Sequence, residues 1–143
     1  MSDEGQRVVK FNQEHYDLLV ECSEKGDMAE WNEWYRKYKN AQKDAGKDDC
    51  GAWLEGAYLR YAHLEGATLY QAHLEEADIS GADISGANIS GAKLQRAHLE
   101  WADMRYVHLE KAVMIEAKLQ GAHLEGADMR YVHLEKAVMI EAK

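Results

Sequence analysis

From Gly51 to Lys143 apolar positions recur every five residues. A small residue stands at 52, 57, 62 and every fifth position to Ala142, and it is Ala except at Val107 and Val132. Two places after each comes Leu, Ile or Met, from Leu54 to Met139. Period five suits neither an amphipathic helix, which needs 3.6, nor a half-buried strand alone, which needs 2. Residues two apart, such as Ala82 and Ile84, share one side of an extended segment. The next inward pair comes three residues later, so the chain must turn a corner between pairs. The pattern predicts a coil of short extended pieces, each with two side chains inward and three outward. Stacked coils would lie about 4.8 Å apart and satisfy one another's backbone groups. The spacing alone leaves the number of faces open.

The N-terminal third has a different period. Residues 1–7 read as a polar, frayed start, and Val8–Phe11 is a short apolar piece able to pair or pack. Asn12 can cap a helix over about 13–24 with His15, Leu18, Leu19 and Cys22 on one face. Gly26 ends it. Asp27, with Glu30 three residues on, has the form of a capping box for a second helix over about 28–39. Met28, Trp31, Trp34, Tyr35 and Tyr38 make one side of that helix aromatic. A polar linker follows over 40–49. The expected division is a helical cap and linker over 1–50 and a repeat unit over 51–143.

The blocks resemble the pentapeptide-repeat family, whose pattern A-(D/N)-L-x-x is purest as ADISG-ADISG-ANISG from Ala77 to Gly91. The resemblance covers Ala52–Lys143, eighteen consecutive blocks plus Ala142 and Lys143. It implies an all-β fold, a right-handed four-sided β-helix with four blocks per coil and about four and a half coils, roughly 20 Å of stack. Large residues twenty apart, such as Leu54, Leu74, Leu94, Met114 and Leu134, would then form one inward column. Similar chains carry a W-N-x-W helix before their repeats, matched here by Trp31-Asn32-Glu33-Trp34. A solenoid exposes core and strand edges at its ends, so Trp31, Trp34, Tyr35 and Tyr38 are expected to cover the first coil.

Residues 92–118 recur at 117–143 with two differences, Arg96 against Gly121 and Trp101 against Gly126. The offset is twenty-five residues, so each copied block moves to the next face of a four-block coil. A surface that tolerates this quarter-turn argues against a precisely placed catalytic site. The chain stops mid-block, and two expectations follow: a longer native chain, or a homodimer formed through the uncapped C-terminal end.

Hydrophobic residues make up 46% of 143, enough for one unit with a modest core. A net charge of −9 argues against nucleic acid as a ligand. The sequence has no apolar run long enough for a signal peptide or membrane span, which places the protein in the cytoplasm without a membrane partner. Cys22 and Cys50 lack metal-ligand spacing and are read as free thiols, a bridge requiring the N-terminal segment to fold back on the first coil.

Six of the seven histidines stand between the small and the large residue of a block: His63, His73, His98, His108, His123 and His133. A twenty-residue coil stacks Asp78 under His98, Asp103 under His123 and His108 under Asp128. Imidazole and carboxylate are plausible metal ligands. Each pair supplies only two, so the expectation is favourable pairing between coils, with adventitious metal binding at most. Glu76, Arg96, Glu116 and Lys136 fall one coil apart with alternating sign, Arg105 is expected beside Glu125, and Glu110 beside Arg130. Ser80, Ser85 and Ser90 lie in identical ISG corners without an organised base, and no glycine-rich phosphate loop is present. No enzyme and no cofactor are expected.

The leading functional reading is a non-catalytic protein-interaction scaffold of unknown partner. Tyr58, Tyr61, Tyr70, Trp101, Tyr106 and Tyr131 are outward aromatics of the kind that anchor interfaces, with Tyr61 and Trp101 two coils apart on one face. The resemblance supplies an alternative, since some pentapeptide-repeat proteins are acidic DNA mimics that bind DNA gyrase and protect it from quinolones. The repeat region holds fourteen acidic against nine basic residues, but interleaved, and no Phe in its columns. A third reading is a structural element growing end to end.

Overall fold

The computed structural model describes residues 9–143. The polar start read over 1–7 lies outside them, as does Val8. Helix α1 runs Gln13–Lys25, and the Asn12 side chain accepts a hydrogen bond from the His15 N–H at its start. Gly26, with φ +66°, closes it, donating to carbonyls of the last turn. Helix α2 runs Ala29–Asp44, five residues beyond the expected end. The sequence Asn40-Ala41-Gln42-Lys43-Asp44 is polar but holds no breaker, and its Ala, Gln and Lys favour helix. The stop comes at Gly46, with φ +73°. Asp27 accepts the Ala29 N–H at 2.8 Å, while Met28 occupies the N-cap position and makes no side-chain cap bond.

After Gly51 the chain repeats a five-residue unit in a twenty-residue register. Outward residues bridge in parallel to those twenty further on, from Trp53 with His73 to Lys118 with Val138. The Leu64 N–H donates to the Asp83 carbonyl at 2.8 Å, and the Asp83 N–H returns to the Ala62 carbonyl at 3.0 Å. Each corner closes on itself: the Leu64 carbonyl accepts from the Ala67 N–H at 3.0 Å. This turn needs a positive φ at its third residue, and all fifth positions from Gly56 to Glu141 have one. Where the outward residue is Asp or Asn, its side chain fastens the same corner. Asp78, Asp83 and Asn88 accept the backbone N–H of Ser80, Ser85 and Ser90. The inward Ala, Leu, Ile and Met residues form one continuous core, nearly all buried from Ala52 to Ala122.

The first coil has no coil beneath it, and the helical segment meets its backbone instead. Phe11 bridges antiparallel to Leu54, and Asn12 donates to the Trp53 carbonyl. His15 Nδ1 accepts the Trp53 N–H at 3.0 Å, and Ser23 Oγ accepts the His63 N–H at 2.9 Å. Tyr16 donates to the Tyr58 carbonyl. Trp31 and Asn32 read Thr68 from both sides: Trp31 Nε1 donates to its carbonyl at 2.8 Å, and Asn32 Oδ1 accepts its N–H at 2.7 Å. Tyr35 donates to the Tyr70 carbonyl and accepts from Ala52. Trp31 and Tyr35 are buried, whereas Trp34 and Tyr38 are half-buried and stack on each other 5.0 Å apart. No helix among the described residues is long and apolar enough to cross a membrane.

Candidate interaction surface

The left-handed corner points each fifth side chain outward, and the most exposed rings stand there. Tyr61, Trp101, Tyr106 and Tyr131 are 68%, 65%, 68% and 74% exposed. Three of these rings lie over a glycine twenty residues further on. A Cβ on Gly81 would fall 2.4 Å from Tyr61 Cε1, one on Gly121 2.4 Å from Trp101 Cε3, and one on Gly126 2.6 Å from Tyr106 Cδ1. Gly121 and Gly126 are the two positions at which the copied segment departs from its original. Repeating Arg96 and Trp101 there would drive side chains into the rings of Trp101 and Tyr106. Glycine at 121 and 126 leaves room for both rings.

The column through Tyr61, Gly81, Trp101 and Gly121 alternates ring and glycine, which leaves a notch. An open cleft of about 510 Å³ lies there, between Tyr61 and Trp101, lined by Gly81, Arg60, Asp78, His98 and Glu100. Arg60 stands over the Tyr61 ring at 5.4 Å and 3.8 Å from Asp78. Tyr58 is exposed, but Tyr70 is half-buried beneath Lys39, whose Nζ lies 3.4 Å from the ring centre. Tyr70 is thereby withdrawn from the surface.

The three histidine–aspartate pairs of the ladder are neighbours by bridge: Asp78 with His98, Asp103 with His123, His108 with Asp128. Their carboxylates are already engaged by other side chains. Asp78 accepts from Ser80, and Asp103 and Asp128 are gripped by the Arg two residues on, at 2.5 and 2.7 Å. Arg130 holds the Asp128 carboxyl down at about 2, and Arg105 holds Asp103 below its ordinary value. Most of the ladder histidines likewise turn to the Glu two residues on, as His98 Nδ1 does to Glu100 at 3.3 Å. No group of three or more His, Cys, Asp or Glu able to hold a metal converges among the described residues. Arg105 thus takes Asp103 as its ion-pair partner rather than Glu125, whereas Arg130 also approaches Glu110 at 3.6 Å, and Arg96 pairs with Glu76 across coils.

His73 departs from the other ladder histidines. Its side chain is 1% exposed, with Nε2 2.6 Å from Asp49 and Nδ1 3.4 Å from Glu75. The hydrogen bonds to Glu75 and Asp49 raise its pKa against the opposing effect of burial. Asp49 also pairs with Lys10 at 3.2 Å, so one histidine fastens the linker and the N-terminal segment to the second coil. Nothing in the five-residue pattern marks His73, because the group that covers it comes from outside the repeat. Cys22 and Cys50 are free and buried.

The Pentapeptide repeats family model matches residues 52–91, 92–130 and 117–143, in eight copies. No curated protein matches the chain. Among solved structures, it is similar to the pentapeptide-repeat protein Rfr23 of the cyanobacterium Cyanothece 51142, at 26% identity and a TM-score of 0.52 over 53% of this chain and 52% of that one. It is also similar to alr5209, a pentapeptide-repeat protein of Nostoc Pcc 7120, at 34% identity and 0.53 over 53% and 63%. The chain spans less than two thirds of either protein. QnrB1, a plasmid-mediated fluoroquinolone resistance protein, is 18% identical with a TM-score of 0.30 over 59% and 47%, too remote to bear on function. Pentapeptide-repeat proteins form right-handed β-helices, and their repeat accounts for the twenty-residue register, the alanine and leucine columns and the left-handed corners described above. The chain belongs to the pentapeptide-repeat family.

Proposed function

We propose that this chain is a non-catalytic protein-interaction scaffold. In this reading it is a four-sided stack of about four and a half coils, capped at the first coil by α1 and α2. The observation that carries it is the set of four corner rings, each about two-thirds exposed or more, presented on a hydrogen-bonded frame. Exposed aromatics on a rigid support are the usual anchors of a binding surface. The test is affinity capture from the native cell with the parent chain and a Tyr61→Gly/Trp101→Gly double variant. A partner retained by the parent and lost by a variant of unchanged melting temperature is the expected result. Equal retention would sink the aromatic surface as the anchor.

The net charge of −9 supports the alternative of a DNA mimic acting on gyrase. The arginine-held carboxylates of Asp103 and Asp128 weigh against it, since they break the run of negative charge. A supercoiling assay separates the two: dose-dependent inhibition or quinolone protection would favour mimicry, and its absence the scaffold. The two free cysteines support a reducing compartment, the bacterial cytoplasm.

A further inference from the structure

We propose that the cleft between Tyr61 and Trp101 receives an arginine side chain from a protein partner. The inference rests on the scaffold reading and assigns its partner a chemistry. The two walls are aromatic and start two coils apart, about 10 Å at strand spacing. The Tyr61 ring lies over Gly81, and the open strip runs between that ring and Trp101. Arg60 already shows the mode of binding from within the chain, with its guanidinium over Tyr61 and beside Asp78. Trp101 offers the stronger cation-binding ring, and among the described residues no Lys or Arg is placed over it.

The charge of the rim selects a cation. Asp78 and Glu100 line the cleft against the single permanent cation Arg60, which Tyr61 and Asp78 already occupy. Glu100 directs Oε1 to His98 at 3.3 Å and keeps its Oε2 buried, so its negative charge stands in the cleft wall beside Trp101. A guanidinium stacked on Trp101 supplies planar N–H donors toward this carboxylate. An ammonium would supply charge without the flat face. The acidic rim repels phosphate and carboxylate ligands, which sets nucleic acid aside.

Only one wall of the cleft, His98, Glu100 and Trp101, lies in the duplicated segment. In the copy, Trp101 is replaced by Gly126, which lies under Tyr106. This supplies a variant the fold already tolerates: Trp101→Gly places glycine at a backbone φ of +61°, where glycine is the least strained residue.

The experiment uses the full chain and three five-residue peptides with a central Arg, Lys or Ala between glycines. Binding is read from the Trp101 indole N–H resonance, assigned by its loss in Trp101→Gly, and from calorimetry for that variant. The arginine peptide is expected to shift the resonance saturably, with the lysine peptide weaker and the alanine peptide silent. Glu100→Gln should weaken binding by about tenfold, as removal of a stacked, charge-assisted contact does. Trp101→Gly should abolish it, and Lys136→Gly, on another corner column at φ +58°, should leave it unchanged. No saturable shift, an equal response to all three peptides, or full binding by Trp101→Gly would overturn the proposal. If the peptides fail while Tyr61→Gly/Trp101→Gly still loses its cellular partner, the arginine assignment falls and the scaffold reading stands.

Discussion

Gly81 and Gly86 share one backbone conformation, φ +65° at each, yet differ in what an added methyl group would meet. At Gly86 nothing lies within 4 Å, whereas at Gly81 the Tyr61 ring is 2.4 Å away. Both Gly→Ala changes force a side chain into the left-handed region, at about 1–2 kcal/mol. Only Gly81→Ala must also displace a ring, so it is expected to lower the melting temperature further than Gly86→Ala does. Thermal melts in a Tyr61→Gly background check this: the excess should vanish there, and its persistence would mean the ring is not its cause. The corner was legible in the sequence, because one must follow every Ala–Leu pair, but its positive φ was not, since residues such as Tyr61, Trp101 and Lys111 adopt it as well as glycine. The ring contacts were not legible either, since they depend on how far Tyr61, Trp101 and Tyr106 lean toward the next coil.

Helix α2 shows how the W-N-x-W element works. In the stack the N–H of each outward residue is taken by the coil before it, and at Thr68 Asn32 takes it instead. Trp31 occupies the matching carbonyl, so two adjacent side chains replace one missing strand. Asn32→Ala leaves the Thr68 N–H and the Gly66 carbonyl without these partners. A loss of about 1–3 kcal/mol is expected for an unpaired buried backbone group. Asn32→Asp restores an acceptor for Thr68 and should recover part of it, as denaturant unfolding of the two variants would show. Equal losses would mean that the acceptor is not what matters. The helical spacing marked Trp31, Trp34, Tyr35 and Tyr38 alike as the covering face, and of these Trp31 and Tyr35 are buried while Trp34 and Tyr38 are half-buried. The sequence did not show the helix reaching Asp44, since polarity over 40–44 looks the same in a linker and in the solvent face of a helix.

At the scale of the molecule, two histidines tie the N-terminal segment to the stack with opposite responses to acid. His15 accepts the Trp53 N–H as a neutral ring, and burial lowers its pKa from 6.5. Its contribution to stability is complete above about pH 6.5 and is lost as pH falls through the lowered value. His73 is flanked by Glu75 and Asp49, its pKa is raised, and Lys93 on the next coil opposes the shift. Its contribution is complete below pH 6.5 and is lost as pH rises through the raised value. Stability should therefore decline on the alkaline side of pH 6.5, and His73→Gln should be less stable at pH 6 but flatter above it. Melting curves between pH 6 and 9 test this, and parallel slopes in parent and variant would refute it. The repeat unit was almost wholly readable from its period, because each block states its own inward and outward residues. The junction was not, because Asp49, Lys10 and His73 meet across stretches that share no period.

Rings that rest on glycines one coil further on give the surface a direction of inheritance. A new ring at one corner restricts the residue twenty places later and leaves the residue twenty places earlier free. Duplications of two whole coils carry such pairs intact, whereas a copy shifted by twenty-five sets Arg96 and Trp101 against the rings of Trp101 and Tyr106, where Gly121 and Gly126 stand instead. The molecule can lengthen by any multiple of five as far as its core is concerned. Its decorated faces, which alternate ring and glycine, lengthen without editing only by forty.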